Sequence, residues 1–424
     1  MERTERMWSE LGLKFPMYEE LLSFLGKKYE EMILDQSSRP EVMGYFDHAV
    51  HDSHRGRIRE IIEARSNGAR MIGTFCIYVP DEIVLAASAI PVALCGGTSF
   101  SIPYAERMFP RDICPLVKST LGLAFSRTCP YAPIEDMGVG ETTCDAKKKT
   151  WDILAQKSRF HILELPQKKN MRDSVLWRAE VGEFCKAVED LTGNEVTREK
   201  LSASVALVNR KRALLRELNE FRKLSCPPVS GRDALVVSQV ALIDDQGRFC
   251  DRLSALNEEL RARASGGVSP FPTGTPRVLV AGCPSVMGNW KLHHCIETSG
   301  AAVICDESCT GTRYYENLVE DGGGSVEDLL DAIADRYFRI SCSCFTPNDE
   351  RIARVVELAK EYRADAVVQY VLQYCHTYHI EAIRVTQALK SAGIPSIVIE
   401  TDYGDEDEGQ LRTRIEALLE SVKK

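Results

Sequence analysis

Four short runs in the last third of the chain, RVLVAG (277–282), AAVICD (301–306), ADAVVQYVL (364–372) and PSIVIE (395–400), are almost unbroken in apolar, mostly β-branched residues. A strand with one wet face alternates polar and apolar side chains, so runs without alternation belong to strands covered on both faces. The stretches between them carry helical spacing, and strand, helix, strand in succession builds a parallel sheet. The segment 70–98 repeats the theme as strand, loop, helix and strand, with Pro80 and Asp81 starting the helix and Gly96-Gly97 making a turn. Further on, CPLVKSTLGLAF forms a helix opening at Cys114-Pro115, and MGVGETTCDAKKKTWDIL a short strand, a glycine-bearing turn and another helix.

With 424 residues the chain is too long for one typical domain. The expected architecture is α/β, with a helical N-terminal segment (1–66), a first α/β domain (67–171) and a helical region (172–265) packing on it and bridging the halves. A linker (266–276), rich in Gly, Pro, Ser and Thr, then leads to a second α/β domain (277–424).

A net charge of −9 argues against nucleic-acid binding, and the basic clusters DAKKK (145–149) and RKRALLRE (210–217) read as solvated helix faces. The opening MERTERMWSELGLKF lacks the apolar core of a secretory signal, and no window approaches eighteen uncharged apolar residues; a cytoplasmic protein without a membrane span is expected. Fifteen cysteines in such a chain point to metal or redox work, with about half of them serving as small core residues. GVGETTC (138–144) lacks the third glycine and the ribose-binding acid of a dinucleotide site, and no P-loop occurs anywhere.

Cys283, Cys309, Cys342 and Cys375 each sit just beyond a strand or in a following loop, 26, 33 and 33 residues apart, about one strand-plus-helix unit. In an open parallel sheet such positions converge at the carboxyl edge, where ligands bind. In the first half Cys76 precedes a helix, Cys114 opens one and Cys144 follows a turn into another. Helix N-termini favour the thiolate that metals require. No CxxC pair exists, and SCSC (341–344) is only CxC, so structural zinc fits poorly and iron–sulfur ligation by scattered thiolates fits better. His376 and His379 flank Cys375, and either can donate protons or hydrogen-bond to cluster sulfur. Cys185, Cys226, Cys250 and Cys295 lie in helical stretches and are read as packing residues.

The motifs FCIYVPDEI, CPLVKSTLG, TTCDAKKK, CTGTR, CSCFTPN and QYCHTYHIE, followed by IETDYGDEDEGQLRTRIEA, resemble the 2-hydroxyacyl-CoA dehydratase D-component and benzoyl-CoA reductase family, most of all its double-cubane cluster branch. That resemblance implies two Rossmann-like domains with an iron–sulfur cluster in the cleft between them. By motif position Cys76, Cys114 and Cys375 would hold one [4Fe-4S] cubane. A double cubane, [8Fe-9S], calls for six thiolates, and the resemblance adds Cys144, Cys309 and Cys342, with Cys283 a rival and Cys344 an alternative to Cys342. It further implies a homodimer charged by a separate ATP-hydrolysing iron–sulfur activator, itself a homodimer, and a small-molecule substrate reduced at the cluster. The alternatives are a subunit of an (R)-2-hydroxyacyl-CoA dehydratase with one [4Fe-4S] cluster, and an electron carrier or scaffold that transforms nothing.

Overall fold

The computed structural model describes residues 8–320 and 323–422, so the first seven residues of the expected N-terminal helical segment lie outside the described residues. Three helices lead in: α1 (Phe15–Tyr29), α2 (Met43–Asp52) and α3 (Gly56–Ser66). The first sheet follows, with β1 (Met71–Thr74), α4 (Asp81–Ala86), β2 (Ile90–Ala93), α5 (Pro115–Ser126), β3 (Met137–Glu141), α6 (Asp145–Leu154) and β4 (Phe160–Leu163). Pro80 fixes the entry to α4, and Asp81 and Glu82 complement the positive end of its dipole.

Four helices then come in succession: α7 (Met171–Thr192), α8 (Arg198–Phe221), α9 (Gly231–Val240) and α10 (Gln246–Ser265). Side chains of Asn170, Thr197, Ser230 and Asp245 cap all four N-termini by accepting a backbone N–H three residues on. The second sheet is built from β5 (Arg277–Gly282), α11 (Lys291–Thr298), β6 (Ala302–Glu307), α12 (Val326–Phe338), α13 (Asp349–Glu361), β7 (Ala366–Leu372), α14 (His376–Ser391), β8 (Ser396–Thr401) and α15 (Glu408–Val422).

Both sheets are four-stranded and parallel, ordered β2-β1-β3-β4 and β6-β5-β7-β8. In each, the order reverses beside the first strand, so a crevice opens past the carboxyl ends of β1 and β3, and of β5 and β7. This is the two-sheet α/β arrangement that the unbroken apolar runs predict.

The halves do not keep separate interiors. One apolar cluster joins Ile72 of the first sheet, Trp177 and Leu235 of the helical region, and Trp290 and Tyr337 of the second half. Leu116 of α5 packs with Val280, Val368 and Tyr370 on one face of the second sheet. At the seam Gly97 lies so close that a Cβ there would meet the Met287 carbonyl oxygen at 2.4 Å, which leaves room for glycine alone.

Helix α8 is the pillar between the halves, and it overturns one expectation. RKRALLRE is not wholly a solvated face, because Lys211 and Arg212 are fully buried. Arg212 donates to Glu82 at 2.6 Å and to the Tyr337 hydroxyl at 3.0 Å, and Lys211 donates to Asp81 at 3.1 Å. Helical rotation puts 211 and 212 on the same side as Val205, Val208 and Leu215, where they meet the acidic first turn of α4. Burial alone would push the Glu82 carboxyl up; the Arg212 and Arg336 guanidiniums reverse this and hold it below the usual carboxylate range.

Replacing Arg212 by Met leaves Glu82 buried without its strongest partner, and the expected loss is about 3 to 5 kcal/mol in equilibrium denaturation. Without that guanidinium, desolvation raises the Glu82 carboxyl above its unfolded value, so the folded variant binds a proton that the unfolded chain releases. The deficit against the unaltered protein should therefore shrink as pH falls from 8 to 5.

Candidate functional site

Six strand ends carry a cysteine in the turn that follows: Cys76 after β1, Cys95 after β2, Cys144 after β3, Cys283 after β5, Cys309 after β6 and Cys375 after β7. Parallel pairing brings each sheet's set to one edge, and the packing of the halves turns the two edges toward each other.

The thiols fall into two groups. In the first, Cys375 lies within hydrogen-bonding reach of both Cys114 and Cys283. Cys114 is the N-cap of α5, near the Leu116 and Val117 backbone N–H groups that favour its thiolate. Cys283 Sγ accepts from the Leu372 N–H at 3.4 Å, and Cys375 is the N-cap of α14. The thiols of Cys114 and Cys283 hold Cys375 well below the ordinary thiol range and are themselves pushed up, Cys114 chiefly by that hydrogen bond and Cys283 chiefly by burial.

The second group is Cys76, Cys309, Cys342 and Cys344. Cys344 hydrogen-bonds to Cys342 and moves it down to about 6 against its burial, with help from Arg313. Cys342 and Cys309 interact electrostatically, as do Cys76 and Cys309, and Cys344 and Cys76. Burial raises Cys309 to about 11 and takes Cys76 well above the ordinary thiol range. Arg313 Nη1 approaches Cys309 Sγ at 3.9 Å.

This sorting differs from the one drawn by motif position. Cys76 stands with Cys309 and Cys342, and Cys283 takes its place beside Cys114 and Cys375. Cys144, the half-buried N-cap of α6, feels the charges of Lys147 and Cys375 and has no thiol partner among the described residues. His376 and His379 lie on the exposed side of α14, His379 facing Glu400 at 3.7 Å, because residues 376, 379, 380 and 383 share one helical face while Tyr378, Ala382 and Val385 turn inward. Of the cysteines read as packing residues, Cys185, Cys250 and Cys295 are buried, whereas Cys226 sits half-buried in the bend after α8.

Three charged groups that the motifs do not single out frame the thiols. Glu141, the last residue of β3, is fully buried and acts electrostatically on Cys76, Cys95, Cys144, Cys309 and Cys344. Its Oε1 accepts from Lys147 at 2.5 Å and from Thr143 at 2.6 Å, and its Oε2 is buried without a partner. Lys147 also donates to the Phe75 carbonyl at 3.1 Å. Burial pulls its ammonium down, but Cys76 and Glu141 together hold it well above the ordinary range. Lys147 is thus not part of a solvated face, unlike the outward-facing Lys149 of the same basic cluster. The third group is Arg313, beside Cys309. A signal for the first two existed in the sequence: Glu141, Cys144 and Lys147 are three residues apart across one strand-to-helix turn. A cavity of about 80 Å³ between the halves is lined by Cys76, Cys95, Lys147, Cys309, Thr310 and Tyr314.

Residues 76–422 match the family described as 2-hydroxyglutaryl-CoA dehydratase, D-component. The chain belongs to that family. A chain of Escherichia coli (strain K12) named "Putative dehydratase subunit YjiM" is 37% identical over 365 residues, covering 85% of this chain and 94% of its own length. The (R)-phenyllactyl-CoA dehydratase beta subunit of Clostridium sporogenes is 23% identical, covering 84% of this chain and 92% of its own length. One of the subunits of benzoyl-CoA reductase from Thauera aromatica is 20% identical, covering 84% and 91%. These relatives are components of dehydratases and of a reductase, so the family is one of enzymes, and their names make them subunits of larger assemblies. Among the described residues no helix is long and apolar enough to cross a membrane.

The donor set suits an iron–sulfur group. Soft thiolate donors gather in two sets, with backbone N–H groups at helix starts and the cations of Lys147 and Arg313 to balance their charge. Among the described residues no three His, Cys, Asp or Glu side chains are arranged to grip a single metal ion.

Mild oxidation of the metal-free protein with diamide, followed by peptide mass spectrometry, should yield Cys375 linked to Cys114 or Cys283, and Cys342 linked to Cys344 or Cys309. A dominant Cys76 to Cys114 linkage would contradict the two groups.

Proposed function

We propose that the chain is a reductase carrying a double-cubane [8Fe-9S] cluster between its halves, bound by Cys114, Cys283 and Cys375 on one side and by Cys76, Cys309 and Cys342 on the other. The observation that carries this reading is the division of the thiols into two groups, each drawing on both halves and able to supply three sulfurs. When bound, such a group supplies low-potential electrons to a small molecule.

The chain's own residues prepare the site. Apolar side chains around the cavity, among them Phe75, Val79 and Val286, exclude water from it. Lys147, pinned by Glu141 and the Phe75 carbonyl, presents a fixed positive charge to Cys76, and Arg313 presents another to Cys309. Both favour thiolate over thiol. Glu141 Oε2 is a buried acceptor without a partner, on a carboxyl that acts electrostatically on Cys76 and Cys309.

The reading includes a separate ATP-hydrolysing iron–sulfur activator as electron donor, in keeping with the lack of a P-loop in this chain, and a second copy of the chain as dimer partner. The subunit names of the relatives support partnership. A second reading, a 2-hydroxyacyl-CoA dehydratase subunit with one [4Fe-4S] cluster, is favoured by the tighter bonding within the Cys114, Cys283 and Cys375 group and by the dehydratase names.

Iron and acid-labile sulfide per chain separate the two. On the first reading anaerobically purified protein holds about eight iron, and Cys283→Ser and Cys309→Ser each lower this to about four. On the second it holds about four, Cys309→Ser changes nothing, and Cys283→Ser removes most of it.

A further inference from the structure

The segment IETDYGDEDEGQ (399–410) carries the chain from the end of β8 into α15. Thr401, the last residue of β8, pairs with Leu372, the last of β7, and the Gln373 N–H donates to the Thr401 carbonyl at 2.9 Å. The chain therefore leaves β8 at the sheet edge that carries Cys375 and Cys283. Lys291, itself buried, clamps the loop that follows. Its Nζ donates to Thr401 Oγ1 at 2.7 Å, to the Gly404 carbonyl at 2.6 Å and to Asp407 Oδ1 at 2.6 Å.

Held between these anchors is Tyr403, only 5% exposed. Its ring packs in the apolar cluster of Cys283 and Tyr370, against which Cys95, Cys114 and Cys375 are also packed. Its hydroxyl is buried and has no hydrogen-bond partner, and it lies within electrostatic reach of Cys114, Cys283 and Cys95. Neighbouring tyrosine oxygens do have protein partners: Tyr370 Oη accepts from Asn289 at 2.9 Å, and Tyr378 Oη from Arg313. The other buried tyrosine without a partner among the described residues, Tyr315, stands beside Cys305 and Arg222, outside both thiol groups. An unpaired buried hydroxyl is costly, and this one is rigidly mounted beside the first thiol group.

We propose that Tyr403 donates its hydroxyl hydrogen to a sulfur of the group bound by Cys114, Cys283 and Cys375, and thereby eases that group's uptake of an electron. The inference rests on the reading that these thiols hold an iron–sulfur group. Reduction adds negative charge to the sulfurs, so a hydrogen bond to them favours the reduced form and raises the potential. Tyr403 is then a tuning residue and not a ligand.

The test compares the unaltered holoprotein with Tyr403→Phe by dye-mediated redox titration followed by EPR. The variant should keep its full iron, and its metal-free form should unfold at the same temperature or higher, because the lost hydroxyl had no protein partner. Its midpoint should fall by an amount equivalent to about tenfold in the one-electron equilibrium, 59 mV, with altered g-values. An iron-replete variant with unchanged midpoint and g-values would overturn the proposal, as would loss of iron, which would make Tyr403 a structural support. Absence of iron from the unaltered protein would instead sink the iron–sulfur reading beneath it.

Discussion

Glu307 holds the second half of the site together. It ends β6, is almost fully buried, and is gripped by Arg313 at 2.6 and 2.9 Å and by Arg351 at 2.8 Å. Burial would drive its carboxyl up, but the two guanidiniums more than offset this and keep it below the usual range. Each guanidinium then directs its remaining donors to the loops that carry thiols. Arg313 reaches the Gly282 carbonyl next to Cys283, the Glu307 carbonyl and Tyr378 on α14, and it approaches Cys309. Arg351 bonds to Glu381 on α14, the helix that Cys375 caps, and Asn348 bridges Glu381 to the Cys342 carbonyl. One carboxylate thus fixes the relative positions of four cysteines from four loops. A buried ionic network of this kind adds little net stability, since an apolar replacement is often at least as stable. Its geometric effect, holding sulfur donors in place before anything binds, is what an apolar core lacks.

The two halves meet the same need for rigidity. Thiols contributed by different sheets are useful only if the sheets keep a constant separation, and here the seam has little freedom to open. A shared apolar cluster, the α8 pillar with its buried Arg212 to Glu82 pair, and the close approach of Gly97 to Met287 all cross it. Gln239 adds a polar rivet, donating to the carbonyls of Ser285 and Val286 and accepting from the Trp290 indole at 2.8 Å. The helical region is therefore part of the frame that sets the distance across the cavity.

Much of this is legible in the sequence, for a physical reason. Strands buried on both faces write unbroken apolar runs, so β5 to β8 can be read directly, and a cysteine just past such a run must lie at the carboxyl edge. What the chain does not write locally is which edge loops face each other across the seam. Motif position consequently separates Cys76 and Cys283 from the neighbours the fold gives them. The histidines show the complementary limit: His376 and His379 adjoin Cys375 in sequence, yet a helix beginning at that cysteine rotates them to the solvent side. Lys147 and Lys211 mislead because a charge looks the same in sequence whether it meets water or a buried carboxylate.

Charge around the thiols sets what a group held there can do. On the proposed reading, six thiolates and the buried Glu141 side chain face two close cations, Lys147 and Arg313, and Arg313 is already engaged by Glu307. That excess of negative charge in a low-dielectric interior then opposes the addition of an electron and pulls the potential down. Hydrogen-bond donors oppose the trend, and the loop clamped by Lys291 places the Tyr403 hydroxyl beside the group that lacks a nearby guanidinium. Arg313 serves the Cys309 side, so a phenol on the Cys283 side would narrow the difference between the two sets of sulfurs. On that reading, a site so balanced stays strongly reducing while still accepting an electron.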